Sequence, residues 1–324
     1  MKKFWALLTI AAMAATMMIS SVAVAAEEEA EPYKIGVSVP TMEMTFFAFM
    51  EEELNNAYPT DKAEVTLYDG EDNQEKQNSD VEDMITMGYD GIVIIPITVE
   101  GAIPAIEYAN EKGVPVICVD REITPDTGVE TIGFVGSDHV PMGEGAAELM
   151  VEALEKMFPD NETWKVVEIE GTQGASATLK RGEGIHHVFD ENPKVDVIAQ
   201  MDGQFLTTTA LTIAEDYLTS VDDLNGFICH NDDEAMGCLQ ALKNANRVGD
   251  VAIVGIDGTK VCVEAIAAGE IQGTIIQYPA MVCLGVETMV KYLDGEEIEY
   301  TNYYPTDMIH PEEAQQFLDE GKPY

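Results

Sequence analysis

"VPVICVDRE", Val114 to Glu122, is the stretch on which the fold turns. Four consecutive apolar residues, Val116 to Val119, fit a strand buried on both faces, because a half-exposed strand would alternate apolar with polar residues. Asp120 and Arg121 follow at once, where that strand must surface. A strand covered on both sides belongs to a parallel sheet held between layers of helices. The carboxyl ends of such strands are where open α/β sheets bind their ligands.

Working outward, the pattern repeats. The runs "KIGVSVP", "AEVTLYD", "GIVIIP", "TIGFVGSD", "WKVVEIEG", "VDVIAQMDG", "GFICHND", "VAIVGIDG" and "GTIIQYP" are short, apolar and ended by turn or polar residues. Between them, sets such as Met150, Ala153, Leu154, Met157 and Ala210, Ile213, Ala214, Tyr217 keep the spacing of an amphipathic helix. Strand and helix alternate along the chain, which predicts parallel sheets with helices on both faces. About ten strands exceed the usual size of one sheet, so two α/β lobes are expected. The strand ends carry Asp120, Arg121, Asp138, Asn231, Asp232, Asp257 and Gln277. Carboxylates, amides and a guanidinium gathered there suit a hydroxyl-rich small molecule.

Composition bounds the function. The 324 residues are 46% hydrophobic, enough for a sizeable core, and the formal net charge is −43. Such a surface repels phosphate backbones and anionic lipid, so neither nucleic acid nor a membrane surface is an expected partner. The charge suits a soluble monomer. The opening "MKKFWALLTIAAMAATMMISSVAVAA" has Lys2 and Lys3, an apolar stretch, and Ala23, Ala25 and Ala26 ahead of Glu27, Glu28 and Glu29. It reads as an export signal over residues 1–26, cleaved near residue 25 or 26 and leaving a soluble protein outside the cytoplasm. Five cysteines, Cys118, Cys229, Cys238, Cys262 and Cys283, sit mostly inside apolar runs. An odd number in such places predicts buried thiols rather than a disulfide framework.

Sites for nucleotides, metals and nucleophiles are not legible. Gly171, Thr172, Gln173 and Gly174 lack both phosphate-loop spacings and read as a turn. His186 and His187 are adjacent, so on a helix they diverge and cannot chelate one ion. "DGEDNQEKQNSDVEDM", Asp69 to Met84, lacks the ligand order of a calcium loop and reads as a solvated helix start. No cofactor or metal is therefore expected. Phe46 and Phe47 open the first helix near Thr41 and Glu43. One ring is expected to face a ligand and the other to pack.

"FF" early in the first helix, "VPVICVDRE", "GSDHVPMGEGAAELM", "GASATLKRGEG", "HNDDEAMG", "VGIDGT" and "IIQYP", in this order, resemble the type I periplasmic sugar-binding proteins of ABC importers, with the ribose-binding members nearest. The resemblance implies two Rossmann-like lobes joined by three crossover strands. The first lobe would hold residues 33–134 and 278–306, the second 135–277 and 307–324. It implies a clamp of Asp120 and Arg121 from the first lobe, met by Arg181, Asn231, Asp257 and Gln277 from the second lobe and hinge. Phe46 or Phe47, with Phe205 of "DGQF", would supply aromatic walls.

The chain departs from the ribose pattern in the first lobe. Met44 stands where those proteins have an asparagine, Thr45 where they have a proline, and Pro96 ends the third strand where an asparagine is usual. Glu43 is the nearby compensation. An unpaired hydroxyl in a closed site costs about 1–3 kcal/mol, so the pattern favours a deoxysugar, a modified sugar or a polyol-like ligand over ribose. The expected function is capture of a small carbohydrate-like ligand for a membrane permease, or presentation of the closed form to a chemoreceptor. An enzyme would need two carboxylates in well-separated roles and a nucleophile or cofactor signature, which the sequence does not carry.

Overall fold

The structure is a computed structural model that describes residues 31–123 and 127–324. The expected export signal, 1–26, lies outside the described residues. The first lobe is laid down as β1 (Tyr33–Val39), α1 (Thr45–Ala57), β2 (Ala63–Asp69), α2 (Gln74–Thr86), β3 (Gly91–Ile94), α3 (Ile103–Lys112), β4 (Val116–Val119) and β5 (Gly133–Gly136). The chain then crosses to the second lobe through α4 (His139–Met157), β6 (Trp164–Glu170), α5 (Ser176–Phe189), β7 (Val195–Asp202), α6 (Thr207–Ser220), β8 (Leu224–Cys229), α7 (Asp232–Ala245), β9 (Ala252–Val254), α8 (Lys260–Ala267) and β10 (Thr274–Ile276). It returns with α9 (Met281–Leu293) and β11 (Thr301–Tyr303), and crosses once more into β12 (Asp307–Ile309) and α10 (Ala314–Asp319).

The first sheet has the order β11-β5-β4-β3-β1-β2 and the second β7-β6-β8-β9, with every pairing parallel. Isolated bridges from Val254 to Gly273 and from Asp257 to Ile276 place β10 beside β9, and β12 pairs antiparallel with β10. β5 runs to Gly136, after which the chain leaves the first sheet for the first time.

The reading of β4 explains the layers. Successive side chains of a strand point to opposite faces. Ile117 and Val119 pack with residues of α1 and α9, while Val116 and Cys118 pack with residues of α2 and α3. Both faces are therefore apolar and the whole strand is buried. The second lobe repeats the arrangement: Val167, Ile169, Phe227 and Cys229 face one helical layer, Val166 and Ile228 the other. Full burial of each such side chain stabilises the fold by about 1.5–3 kcal/mol.

Two short strands that flank the last crossing, β11 and β12, do not stand out among the apolar runs of the sequence. Each has only three residues, and "TNY" and "DMI" carry no apolar run. Their place is dictated by the sheets they join.

Candidate functional site

The strand ends of the two sheets face each other across one small cavity. It is lined by Met44, Phe46, Phe47, Asp120, Arg121, Arg181, Phe205, Asn231, Asp257 and Gln277. None of these is more than 5% exposed. Only about 20 Å³ remains open inside, room for roughly one water. Larger grooves lie elsewhere, such as one of about 390 Å³ beside Leu149, Lys156 and His310, but they lack this convergence of buried charge.

Ten of the eleven residues expected at a site thus meet around one space. Glu43 does not: its side chain is exposed to solvent, in the turn before α1. Phe46 and Phe47 both line the cavity, where one was expected to face away.

Asp120 follows β4 with φ of 58° and Asp257 follows β9 with φ of 137°. Residues other than glycine rarely adopt such angles, and each costs about 1–3 kcal/mol that the surrounding structure must offset. The neighbours hold both in place: Asp120 N–H donates to Val135 O at 2.9 Å and Asp257 N–H to Ile275 O at 2.8 Å. Burial pushes both carboxyls up, against the pull of Arg121 and Arg181 on Asp120 and of Arg181 on Asp257.

The Arg121 guanidinium lies between the rings of Phe47 and Phe205, at 5.4 and 5.1 Å from their centroids. It donates to Ile97 O at 3.2 Å and Pro96 O at 3.4 Å, and its other terminal nitrogen is 3.8 Å from Met44 Sδ. Burial lowers its pKa to about 10, which still leaves it cationic at neutral pH. Arg181 donates from Nη1 to His230 O and lies 3.7 Å from Asp257 Oδ1. Gln277 Nε2 donates to Asp257 Oδ1 at 2.9 Å. Asn231 donates to Phe205 O at 3.1 Å and caps α7 by accepting from Glu234 N–H at 2.8 Å. One N–H and one lone pair of its amide remain.

His139, within "GSDHV" but not singled out by sequence, ties the two halves of the site together. Arg181 Nε–H, which can only donate, reaches His139 Nδ1 at 3.3 Å. Nδ1 is therefore an acceptor, and Nε2–H donates to Asp120 O at 2.8 Å. The ring is neutral, in keeping with the fall of its pKa through burial and the nearby Arg181 charge. The close crossing of α4 and α5 sets the spacing. A Cβ on Gly143 would meet Arg181 O at 2.1 Å, and one on Gly184 would meet Val140 O at 2.1 Å.

Behind Arg181 lies a second polar layer. The fully buried carboxylate of Glu168 meets His230 Nε2 at 2.9 Å and His186 Nε2 at 3.0 Å, and accepts from Gln200 Nε2 at 3.0 Å. Burial alone would raise Glu168, but the hydrogen bonds from His186 and His230 outweigh it and bring the carboxyl to about 2. A depressed carboxyl stabilises the fold above its unfolded value near 4.5, and that contribution is lost as pH falls towards about 2. Glu168→Gln should lower stability at neutral pH by on the order of 3 kcal/mol. Urea melts from pH 7 downward should then show a flatter acid limb for the variant. Parallel curves for parent and variant would refute this account of Glu168.

The model of the periplasmic binding protein domain matches residues 35–297. The chain is 33% identical over 270 residues to the ribose import binding protein of Bacillus subtilis (strain 168), covering 83% of this chain and 84% of that one. It is 27% identical to a xylitol-binding protein of Mycolicibacterium smegmatis, covering 84% of this chain and 75% of the other. Among solved structures, an ABC transporter solute binding protein from Mycobacterium smegmatis with bound glycerol superposes with a TM-score of 0.81 at 28% identity, covering 88% of this chain and 96% of that one.

Proposed function

The chain belongs to the periplasmic binding protein family, and from that premise we propose that it captures a small carbohydrate-like ligand by hinge closure and delivers it to an ABC importer. The observation that carries this reading is a pair of orphaned acceptors. Asp120 Oδ1 and Gln277 Oε1 are buried at the cavity without a hydrogen-bond partner. Buried polar atoms are nearly always paired, and a ligand hydroxyl supplies the missing donor to each. The same hydroxyls can accept from Arg121 and Arg181, so a polyol satisfies both members of each charged pair. Relatives named for ribose and xylitol, and a neighbour holding glycerol, support a polyhydroxylated ligand.

The lining divides unevenly. The first lobe offers Met44, Phe46 and Phe47 as an apolar wall, and Arg121 spends part of its donor set on Pro96 and Ile97. The second lobe and hinge offer Asn231, Asp257, Gln277 and Arg181. The ligand that fits presents hydroxyls to the second lobe and a bare C–H or methyl edge to Met44, as a deoxysugar or small polyol does. A thermal-shift panel of pentoses, hexoses, deoxysugars and polyols tests this. At a hundredfold excess over Kd the matching ligand should raise Tm by roughly 5–10 °C, with no product formed. A panel with no shift, or one that yields product, would overturn the reading.

Met44→Asn puts an amide beside the Arg121 guanidinium. It should improve ribose affinity by roughly tenfold, the worth of about one hydrogen bond. Calorimetry on parent and variant checks it, and equal ribose affinities would place Met44 away from the ligand.

A further inference from the structure

Helix α1 begins without a cap of its own. Met44 occupies the capping position, and its side chain has no oxygen to accept from the first free N–H groups. The acceptor comes from the other lobe. Asp233, in the first turn of α7, takes the Thr45 N–H at 2.9 Å on Oδ2 and the Thr45 hydroxyl at 2.7 Å on Oδ1. One carboxylate therefore sits at the N-termini of two helices from opposite lobes, each of which attracts negative charge.

A second contact grips the same turns of α1. Beyond α10, Tyr324 O accepts from Lys260 N–H at 2.7 Å, which anchors that segment to the second lobe. Its ring reaches the first lobe, with centroid distances of 6.0 Å to Phe46 and 5.0 Å to Phe49. Phe46 lines the cavity, but neither Tyr324 nor Asp233 does.

We propose that Asp233 and Tyr324 form a latch that holds the closed form by gripping α1 from the second lobe, and so set ligand affinity without touching ligand. The latch rests on the reading of the protein as a hinge-closing binder. Its contacts exist only when the lobes meet, so they bias the equilibrium between open and closed forms. Apparent affinity scales with the closed fraction, and losing either contact weakens binding through that fraction. Asp233 and Tyr324 are positioning residues: they place Met44, Phe46 and Phe47 against the second lobe.

The test is small-angle scattering on the ligand-free full chain, for the parent, Asp233→Ala, Tyr324→Ala and Asp233→Asn. Loss of the cap should reduce the closed-to-open ratio roughly tenfold and enlarge the radius of gyration. Asp233→Asn, which can still accept from Thr45, should fall between Asp233→Ala and the parent, a graded response that misfolding would not give. Thermal melts confirm that each variant folds. A parent found only in the open form, or variants as compact as the parent, overturns the latch. A sugar panel run on the parent judges the binding reading separately, since a parent that binds while its latch variants stay as compact sinks the latch alone.

Discussion

Arg121→Ala is expected to abolish ligand binding while leaving a cooperative melting transition. The guanidinium is held between Phe47 and Phe205 and tied to two backbone carbonyls, so truncation removes a fixed donor and leaves those carbonyls unpaired. It also takes from the buried Asp120 its neighbouring countercharge, with Nε at 3.9 Å from Oδ2. Breaking a buried charge pair from one side costs about 3–5 kcal/mol, which corresponds to a loss of affinity of more than a hundredfold. Arg121→Lys should not restore it, because an ammonium lacks the planar fork that stacks between two rings and serves two carbonyls. Calorimetry against the ligand found in the panel decides the matter. An affinity within a few-fold of the parent would show that Arg121 plays no part in the site.

The second large effect is expected at Asp257, on the other side of the cavity. Its carboxylate takes the Gln277 amide at 2.9 Å and faces Arg181 at 3.7 Å. A ligand can favour the closed form only by binding it better than the open one, which requires contacts on both lobes. Hinge closure is a motion known for periplasmic binding proteins, and the geometry here adds where the force acts. With Asp257→Ala the ligand keeps the Asp120 and Arg121 side and loses much of the other, so binding should weaken by roughly a hundredfold and no longer compact the protein. Scattering with the variant saturated reads the second effect directly. Full compaction of the saturated variant would exclude a two-sided clamp. Asp257→Gly is the useful companion: it removes the same carboxylate yet accommodates a φ of 137°, so it should bind as poorly but melt higher than Asp257→Ala.

Much of this was legible in the sequence because burial on both faces writes itself as unbroken apolar runs. β3 and β4 are "GIVI" and "VICV", and the polar residues after such runs fall at the sheet edge. What was not legible depends on partners far away in sequence. His139 looks like an ordinary helix-start residue until Arg181 and Asp120 are seen on its two nitrogens. Glu168 lies within an apolar strand and His186 beside a second histidine on the helix that follows it, yet they meet at 3.0 Å. Thr45 and Asp233 are 188 residues apart, and neither type of residue marks a cross-lobe cap by itself. Glu43 was drawn in by proximity along the chain, which says nothing of which way a turn residue points.

The return of α9 and β11 to the first sheet has a consequence for the order in which the molecule is made. Ile117, Val119 and Val135 of the first half share a cluster with Met281, Val282 and Val286 of α9. On the ribosome, that face of β4 and β5 emerges long before its cover is synthesised. At about 5–20 residues per second, the stretch between β5 and α9 takes roughly seven to thirty seconds to make. During that interval the first half carries an apolar face covered by α1 but not yet by α9, and an edge strand, β5, still waiting for β11. The first sheet, begun earliest, is thus closed only after nearly all of the second lobe has been made.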